Sequence, residues 1–152
     1  MTDIVDPGTR SRMMSRITGR DTMPELTVRS GLHRRGFRFS LHRKDLPGKP
    51  DLVLPVHQTI VFVHGCFWHC HHCDYFRLPK SNRTFWRTKL EANVNRDKRN
   101  IQALLDEEWY VATIWECSIR DQSEEAINSM LERLADWVVR QKYRRRRITF
   151  AG

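Results

Sequence analysis

The chain has 152 residues, of which 39% are hydrophobic, so it is long enough for one domain with a real core and too short for two comfortable ones. Its 27 lysines and arginines outnumber its 18 acidic residues by nine, which favours a polyanionic partner such as nucleic acid. No apolar run is long enough to span a bilayer and no signal-peptide pattern is present, so we expect a cytoplasmic protein whose four cysteines are reduced, and no membrane partner.

The N-terminal part of the sequence predicts a basic arm followed by a helix. Residues 1–20 carry four arginines around a pair of methionines, and we expect an arm that contacts the polyanion and contains at most a short helix. Thr22 is a helix-capping residue, Pro24 suits a first turn, and Glu25 can bond back to the cap. A helix is therefore predicted from residue 22 to about residue 35, since Gly36 follows.

Apolar periodicity predicts strands and helices in the rest of the chain. The predicted strands are residues 37–41, 51–55, 59–63 and 110–114, and the predicted helices are residues 82–106 and 127–138. Together they indicate one α/β domain over residues 21–140, with a small sheet flanked by helices. Residues 141–152 contain an arginine run and are assigned to a basic tail.

The strongest functional signal is the segment 64–73, which holds three of the four cysteines and four of the seven histidines. Thiolate and imidazole are the donors that tetrahedral Zn²⁺ prefers, so this segment predicts a structural zinc site. Two sets of donors are open, either Cys70 with Cys73 or a wider set of Cys66, His71 and Cys73, and each could recruit Cys117 from the end of a neighbouring strand. A metal-free loop is the alternative, and the rarity of cysteine disfavours it.

Three carboxylates are candidates for chemistry. Asp51 begins a predicted strand behind a Pro-Gly-x-Pro turn, where it could place Mg²⁺ against a phosphate oxygen, although a turn-capping role also explains it. Glu25 is likewise explained by helix capping. Asp97 falls on the apolar stripe of its helix and needs a partner, either an imidazole such as His64 or His69 or a basic side chain. A carboxylate-held imidazole is a good general base near neutral pH.

Aromatic and basic residues add a nucleic-acid signal. Phe67 and Trp68 stand between predicted zinc ligands, and these two are candidates to stack on bases or wedge between them. Trp86, early in the long helix, is a third candidate, with an ordinary core position as its alternative. Met14 could act in the same way from the arm, although a flexible arm explains it as well. The arginine run at 144–147 is typical of a solvated tail.

Five ordered segments carry a family resemblance. They are Pro-Gly-x-Pro-Asp-x-Val at 47–53, His-Gly-Cys-Phe-Trp-His-x-His-His-Cys at 64–73, Phe-Trp-x-x-Lys at 85–89, Asn-x-x-Arg-Asp at 93–97, and a segment ending in Trp-Glu-Cys at 111–117. In this order and spacing the chain resembles the very-short-patch repair (Vsr) DNA mismatch endonucleases, over nearly all of residues 9–137.

The resemblance implies an α/β fold of the restriction-endonuclease-like class, the PD-(D/E)XK type, with a structural zinc site. It implies Mg²⁺-dependent phosphodiester hydrolysis, as a nick 5′ to the T of a T:G mismatch that deamination of 5-methylcytosine has left in duplex DNA. The implied setting is very-short-patch repair by a monomer in the bacterial cytoplasm, at the nucleoid, with mismatch-repair proteins and a DNA polymerase as partners.

The resemblance also implies roles for individual residues. The implied catalytic residues are Asp51, which binds Mg²⁺ with the backbone carbonyl of Val63, and the general base His69 with its supporting Glu25, His64 and Asp97. The implied zinc ligands are Cys66, His71, Cys73 and Cys117. The implied intercalating side chains are Phe67, Trp68 and Trp86, with Met14 from the arm.

Two departures from the family pattern bear on these roles. The wider nuclease class has an acidic-x-Lys pair on its next strand, whereas this chain has Phe-Val-His at 62–64, so histidines would replace the missing carboxylate and lysine. Cys70 stands where the family pattern has histidine, and it could compete for zinc or be prone to oxidation.

Two other functions are open on the residues alone. One is a catalytically silent zinc-containing DNA-binding module, which has no reason to combine Asp51 with His69. The other is a restriction-type nuclease that cuts both strands, which the lack of an evident dimer element disfavours.

Overall fold

The computed structural model describes residues 22–140 and 145–152, which form a five-stranded mixed sheet with helices on both faces. The helices are α1 (Met23–Arg34), α2 (Arg83–Asp106) and α3 (Glu124–Val139). The strands are β1 (Ser40–Leu41), β2 (Leu52–Leu54), β3 (Thr59–His64), β4 (Tyr110–Trp115) and β5 (Arg147–Phe150), adjacent in that order. The predictions for the N-terminal arm, including Met14, lie outside the described residues.

The register of the central strands brings two distant parts of the chain to one edge of the sheet. β1, β2 and β3 pair antiparallel, which confirms the predicted hairpin, whereas β3 and β4 pair in parallel along their whole length. His64, the last residue of β3, therefore lies opposite Trp115, the last residue of β4. Because parallel strands end at the same edge, the segment after His64 and the short 3-10 turn at Glu116–Ser118 leave the sheet side by side.

Alternation along the strands divides the apolar residues between two cores. One face of the sheet packs against α1 and α3, and its buried residues include Val28, Leu32, Val61, Ala112, Ile114, Leu134 and Phe150. The other face packs against α2, through Val53, Ile60, Phe62, Ile101, Leu104 and Val111. His64 has the parity of Ile60 and Phe62, so its ring lies on the α2 side of the sheet. Within the described ranges no helix combines the length and apolar character that crossing a membrane requires.

The predicted start and end of α1 are confirmed by local contacts, whereas α3 begins at Glu124, before the predicted start at residue 127. The Thr22 hydroxyl accepts a hydrogen bond from the Glu25 N–H at 3.4 Å, and Ser123 caps α3 in the same way through the Ala126 N–H. α1 ends just before Gly36, whose φ of +92° is a left-handed conformation that glycine adopts at little cost. Glu25 lies in the first turn of α1, and its side chain is buried.

Two of the strand predictions need correction. The strand predicted over residues 37–41 is paired only at Ser40–Leu41, because the chain before it closes α1 and buries Phe37 against the core. No strand was predicted in the basic tail, yet Arg147–Phe150 forms β5 and pairs in parallel with β4. Only Ile148 and Phe150 carry its apolar alternation, which is too short to stand out beside the arginine run.

The assignment of β5 to the sheet can be tested by truncating its buried end. Phe150 is 5% exposed and belongs to the core on the α1 and α3 side. We expect Phe150→Ala to lower the free energy of unfolding by about 3–5 kcal/mol, because removal of a buried ring leaves a cavity. Exposed Thr149→Ala, the matched control on the same strand, is expected to change it by less than about 0.5 kcal/mol in urea unfolding. Equal effects of the two substitutions would show that the segment is a loose tail.

Candidate active site

Four cysteine and histidine donors converge where β3 and β4 end. The donor atoms of Cys66, His71, Cys73 and Cys117 all lie within 4.8 Å of one another. The Cys66 Sγ is 3.7 Å and the Cys117 Sγ is 3.5 Å from the His71 Nδ1. A tetrahedral cation with bonds of about 2.0–2.3 Å requires its ligand atoms to be about 3.4–3.8 Å apart, so the donor chemistry and the spacing both fit zinc. Cys70 is not among these four donors.

Neighbouring groups hold the four donors in place. The His71 ring stacks on Trp115 with ring centres 4.2 Å apart, and the Cys66 N–H donates to the Glu116 carboxylate at 3.2 Å. The Gly152 N–H lies 3.3 Å from the Cys117 Sγ. Burial raises the pKa of the Cys66 thiol, so a thiolate there needs a cation to be stable. The cluster thus ties the segment after β3 to the end of β4.

Cys70 is turned away from this cluster by its backbone. Its φ is +51°, a left-handed conformation that reverses the direction of the chain between Cys66 and Cys73. Its side chain lies on the α2 side near Glu91, and burial raises the pKa of its thiol. The grouping of Cys70 with Cys73 that the spacing left open is therefore disfavoured by the geometry.

The same segment holds His69 against a carboxylate of α2. The His69 Nδ1 is hydrogen-bonded to the Asp97 Oδ2, so the partner that Asp97 needs on its helix is an imidazole. The ring of His64 stacks parallel to the ring of His69, with centres 3.8 Å apart and planes at 5°. Because Asp97 engages Nδ1, the Nε2 of His69 is the nitrogen that can accept a proton.

His64 is the buried member of this pair. Burial, with a smaller effect of the neighbouring His69, lowers the pKa of His64 to about 3. The imidazole of His64 is therefore neutral at the pH of the cell, and it can lie against a His69 that gains a proton without like-charge repulsion. His64, His69 and Asp97 also have donor atoms close enough to share a cation.

A second group of polar side chains surrounds Asp51 at the start of β2. The Asp51 Oδ2 accepts a hydrogen bond from the Val63 N–H at 2.7 Å, and the Asp51 Oδ1 lies 3.9 Å from the His42 Nδ1. Donor atoms of Glu25 and His42 lie within 4.8 Å of Asp51. Glu25 is 2% exposed and forms an ion pair with Arg29 at 3.2 Å. Sequence reasoning missed His42, because a histidine in a loop without a pattern gives no signal.

The electrostatics of this group favour a bound cation. Burial, together with the nearby Glu25 carboxylate, raises the pKa of Asp51 to about 7, although the Val63 N–H opposes the rise. Two buried carboxylates that face each other repel, and a divalent cation removes that repulsion while supplying the missing solvation. The oxygen donors at Asp51 fit a hard cation such as Mg²⁺.

Both groups open into one cleft. A cavity of about 470 Å³ is lined by Asp51, His64, His69 and Asp97 together with the basic side chains Lys49 and Arg96. A phosphate that enters this cleft would meet cationic side chains, a candidate cation site and an oriented imidazole. The carboxylate and the imidazole that sequence analysis placed on separate segments are therefore brought together by the fold.

Three aromatic side chains form a cluster beside this cleft. Phe67 lies 5.0 Å from Trp68 and 5.7 Å from Trp86, measured between ring centres. Trp68 is 43% exposed, and Asn93 on α2 donates to its carbonyl at 3.2 Å. Trp86 is only partly buried, so the alternative of a core position is wrong. Phe85, 59% exposed, extends the aromatic surface and was not singled out by the sequence analysis.

Comparison with known proteins places the chain in a family. The family model described as DNA mismatch endonuclease Vsr matches residues 2–75. The type II nicking enzyme V.XorIIP of Xanthomonas oryzae is 46% identical over 136 residues, which are 90% of this chain and 98% of that protein. The chain belongs to the Vsr family of DNA mismatch endonucleases. The DNA mismatch endonuclease Vsr of Escherichia coli is 39% identical over 138 residues, 91% of this chain and 88% of that protein.

Family membership confirms the resemblance that the ordered segments carried, and with it the enzyme class. This Vsr-family protein is an endonuclease and its substrate is DNA. A further relative, the type II nicking enzyme V.NmeAIP of Neisseria meningitidis, is 39% identical over 140 residues, which are 91% of this chain and the whole of that protein.

The four-donor cluster predicts which cysteines retain a metal. We expect the wild-type Vsr-family protein to bind one zinc ion per chain, and Cys117→Ser to lose it and to unfold more easily, because folding energy is coupled to the bound metal. Cys70→Ser is the matched control from the same segment and is expected to keep the ion. Zinc content by mass spectrometry of metals, with thermal unfolding, measures both. Loss of zinc from the Cys70 variant and retention by the Cys117 variant would reverse the ligand assignment.

The raised pKa of Asp51 predicts a pH-dependent stability. The folded state holds the Asp51 proton more tightly than the unfolded state, so this carboxyl stabilises the fold fully below its ordinary pKa of 3.8 and loses that contribution as the pH rises to about 7. Without magnesium, Asp51→Asn should therefore gain about 1–3 kcal/mol relative to wild type between pH 5 and pH 8. Exposed Asp106→Asn is the control. A pH-independent difference between Asp51→Asn and wild type would contradict the raised pKa.

Proposed function

We propose that this Vsr-family endonuclease nicks duplex DNA 5′ to the T of a T:G mismatch by Mg²⁺-dependent hydrolysis, and so initiates very-short-patch repair of deaminated 5-methylcytosine. The observation that carries the proposal is the cleft that Asp51 and the Asp97-held His69 both line. A catalytically silent zinc module has no use for that combination. The PD-(D/E)XK-type fold is part of the proposal, with Asp51 as its first carboxylate.

Asp51 and the backbone carbonyl of Val63 would hold the Mg²⁺. The Val63 N–H fixes one oxygen of Asp51, and the other oxygen would bind the hard cation. When bound, Mg²⁺ neutralises charge that develops on the phosphate oxygens. Glu25 is held beside Asp51 by Arg29 at 3.2 Å and adds negative charge that favours a divalent cation. Because Glu25 is buried, we assign it a supporting role beside the cation and not a role in binding the substrate.

His69 supplies the general base. A water oxygen attacks the phosphorus and its proton passes to the Nε2 of His69. The bond from phosphorus to the 3′-oxygen of the departing sugar breaks, and this oxygen takes a proton from solvent water and leaves as a hydroxyl. Asp97 fixes the ring through Nδ1 and stabilises the imidazolium that forms. Neutral His64 stacks on the same ring and keeps its plane fixed. The segment that carries His69 is anchored at Cys66, His71, Cys73 and Cys117, which we propose as the ligands of a structural Zn²⁺.

The aromatic cluster offers a means of finding the mismatch. Phe67, Trp68 and Trp86 form one partly exposed surface beside the cleft, where they can enter a base step. Opening a step costs a few kcal/mol, and a mismatched pair lowers that cost because it stacks and pairs less well. We also propose that Met14, from the N-terminal arm, intercalates into the DNA. The formal net charge of +9 supports binding to the phosphate backbone.

Family membership supports the remaining parts of the proposal. We place the enzyme as a monomer in the bacterial cytoplasm, at the nucleoid, where mismatch-repair proteins and a DNA polymerase complete the repair. These partners are proposed from family membership alone.

The proposal predicts a nick that depends on the mismatch, on Mg²⁺ and on His69. End-labelled duplexes that differ only in T:G or C:G at one position should be nicked on the T strand of the mismatched duplex alone, and only when Mg²⁺ is added to zinc-replete protein. His69→Ala should lower the rate by about 10²–10⁴-fold, because a general base contributes that much. Exposed His72→Ala, from the same segment, is the matched control.

Asp51→Ala separates cleavage from binding in the same assay. We expect it to abolish the nick while leaving affinity for the mismatched duplex within a few-fold, because Asp51 contributes to chemistry and the aromatic and basic residues contribute to binding. A persistent nick in Asp51→Ala, or a nick in both strands of the matched duplex, would contradict the proposed function.

A further inference from the structure

His42 is held beside Asp51 by an unusual backbone conformation. Its φ is +48°, in the left-handed region that non-glycine residues seldom adopt, and its N–H donates to the Asp51 carbonyl at 3.2 Å. A residue other than glycine is strained in this conformation, and such residues cluster at functional sites. The loop between β1 and β2 thus directs this imidazole into the carboxylate group.

The two nitrogens of the His42 ring face different partners. Nδ1 lies 3.9 Å from the Asp51 Oδ1, the carboxylate oxygen that does not accept from the Val63 N–H. Nε2 lies 3.5 Å from the Glu25 Oε2 and 2.8 Å from the Arg29 Nη2. The distance of 3.9 Å is too long for a hydrogen bond, whereas two ligands of one cation are separated by about 3–4 Å.

We propose that His42 is a third ligand of the Asp51 cation and makes this site prefer Mn²⁺ to Mg²⁺. The inference rests on the proposed function, since it concerns the same cation site, and it assigns to His42 a ligand role beyond the two oxygens of Asp51 and Val63. Binding occurs through Nδ1.

The surroundings of His42 suit a metal-bound imidazole. With Nδ1 as the ligand, Nε2 carries the ring proton and faces the Glu25 carboxylate, which is the carboxylate–histidine–metal arrangement that fixes ring orientation. In the structure Nε2 accepts from the Arg29 guanidinium at 2.8 Å, so binding through Nδ1 requires the ring proton to move from Nδ1 to Nε2 and this contact to be replaced. The ion pair of Arg29 with Glu25 at 3.2 Å can remain. The buried Glu25 thereby acts on the cation through His42.

The preference follows from the donor chemistry. Carboxylate and carbonyl oxygens bind Mg²⁺ and Mn²⁺ alike, but Mg²⁺ is a hard ion that retains oxygen ligands and water. An imidazole nitrogen adds affinity for a divalent transition ion and little for Mg²⁺. A site with one nitrogen among its ligands therefore discriminates between the two cations where an all-oxygen site does not.

Pulsed electron paramagnetic resonance of bound Mn²⁺ tests the ligand directly, on DNA-free, zinc-replete protein. A nitrogen bound to Mn²⁺ modulates the electron spin echo, and this signal does not depend on activity. We expect nitrogen modulation in wild type and in His33→Gln, an exposed histidine of α1, and its loss in His42→Gln and His42→Asn. Asparagine also tolerates the left-handed backbone conformation. If the glutamine variant misfolds, the nitrogen modulation can therefore still be measured in the asparagine variant.

Metal titration gives the second readout. The affinity for Mn²⁺ should fall about tenfold or more in the His42 variants, and the affinity for Mg²⁺ should fall by much less. The ratio of the Mn²⁺ affinity to the Mg²⁺ affinity should therefore be smaller in these variants than in wild type. The ligand role of His42 would be overturned if Mn²⁺ bound wild type without nitrogen modulation, or if the modulation persisted in both His42 variants. In either case a Mg²⁺-dependent nick would still support the proposed function. Absence of any cation binding and of any nick would reject both.

Discussion

The joining of the segment after β3 to the end of β4 is the constraint on which the site depends. His69 lies inside a segment that has little regular secondary structure of its own, between Cys66 and Cys73. The donor cluster closes that segment onto Cys117, and the parallel register of β3 and β4 brings the two ends together. Without this closure the entropy of a loop of that length would leave His69 free to leave Asp97. In the proposed mechanism, a cation bound to these donors would serve catalysis indirectly, by fixing the position of His69.

The active site is built from buried charge that the fold keeps in balance. Glu25 comes from a helix start and Asp51 from a strand start, and both are taken out of water beside Arg29. The raised pKa of Asp51 is the cost of that burial, and a divalent cation offsets it. In the proposed mechanism, imidazoles on β3 and on the segment after it take the place of the acidic-x-Lys pair that this endonuclease lacks.

Local patterns predicted most of this architecture. The hairpin and the capped helix at Thr22 followed from periodicity and cap chemistry. The position of Asp97 on an apolar stripe indicated that it needs a partner, but an imidazole and a basic side chain were both open, and the structure shows the imidazole of His69. Three features could not be predicted because they depend on the folded chain. β5 is too short to be recognised within an arginine run, the left-handed φ of Cys70 decides which thiols can share a metal, and His42 reaches Asp51 only through the β1–β2 pairing.

We propose that two different cations flank His69, which binds neither of them. Anomalous diffraction from crystals of the zinc-replete protein, recorded at the zinc edge and again after soaking in Mn²⁺, measures this directly. We predict a zinc peak about 2.0–2.3 Å from the donors of Cys66, His71, Cys73 and Cys117, and a manganese peak at the Oδ1 of Asp51. A zinc peak at Cys70 would contradict the proposed ligand set. A peak bound jointly by His64, His69 and Asp97 would contradict the proposed mechanism, because His69 could not then act as the base.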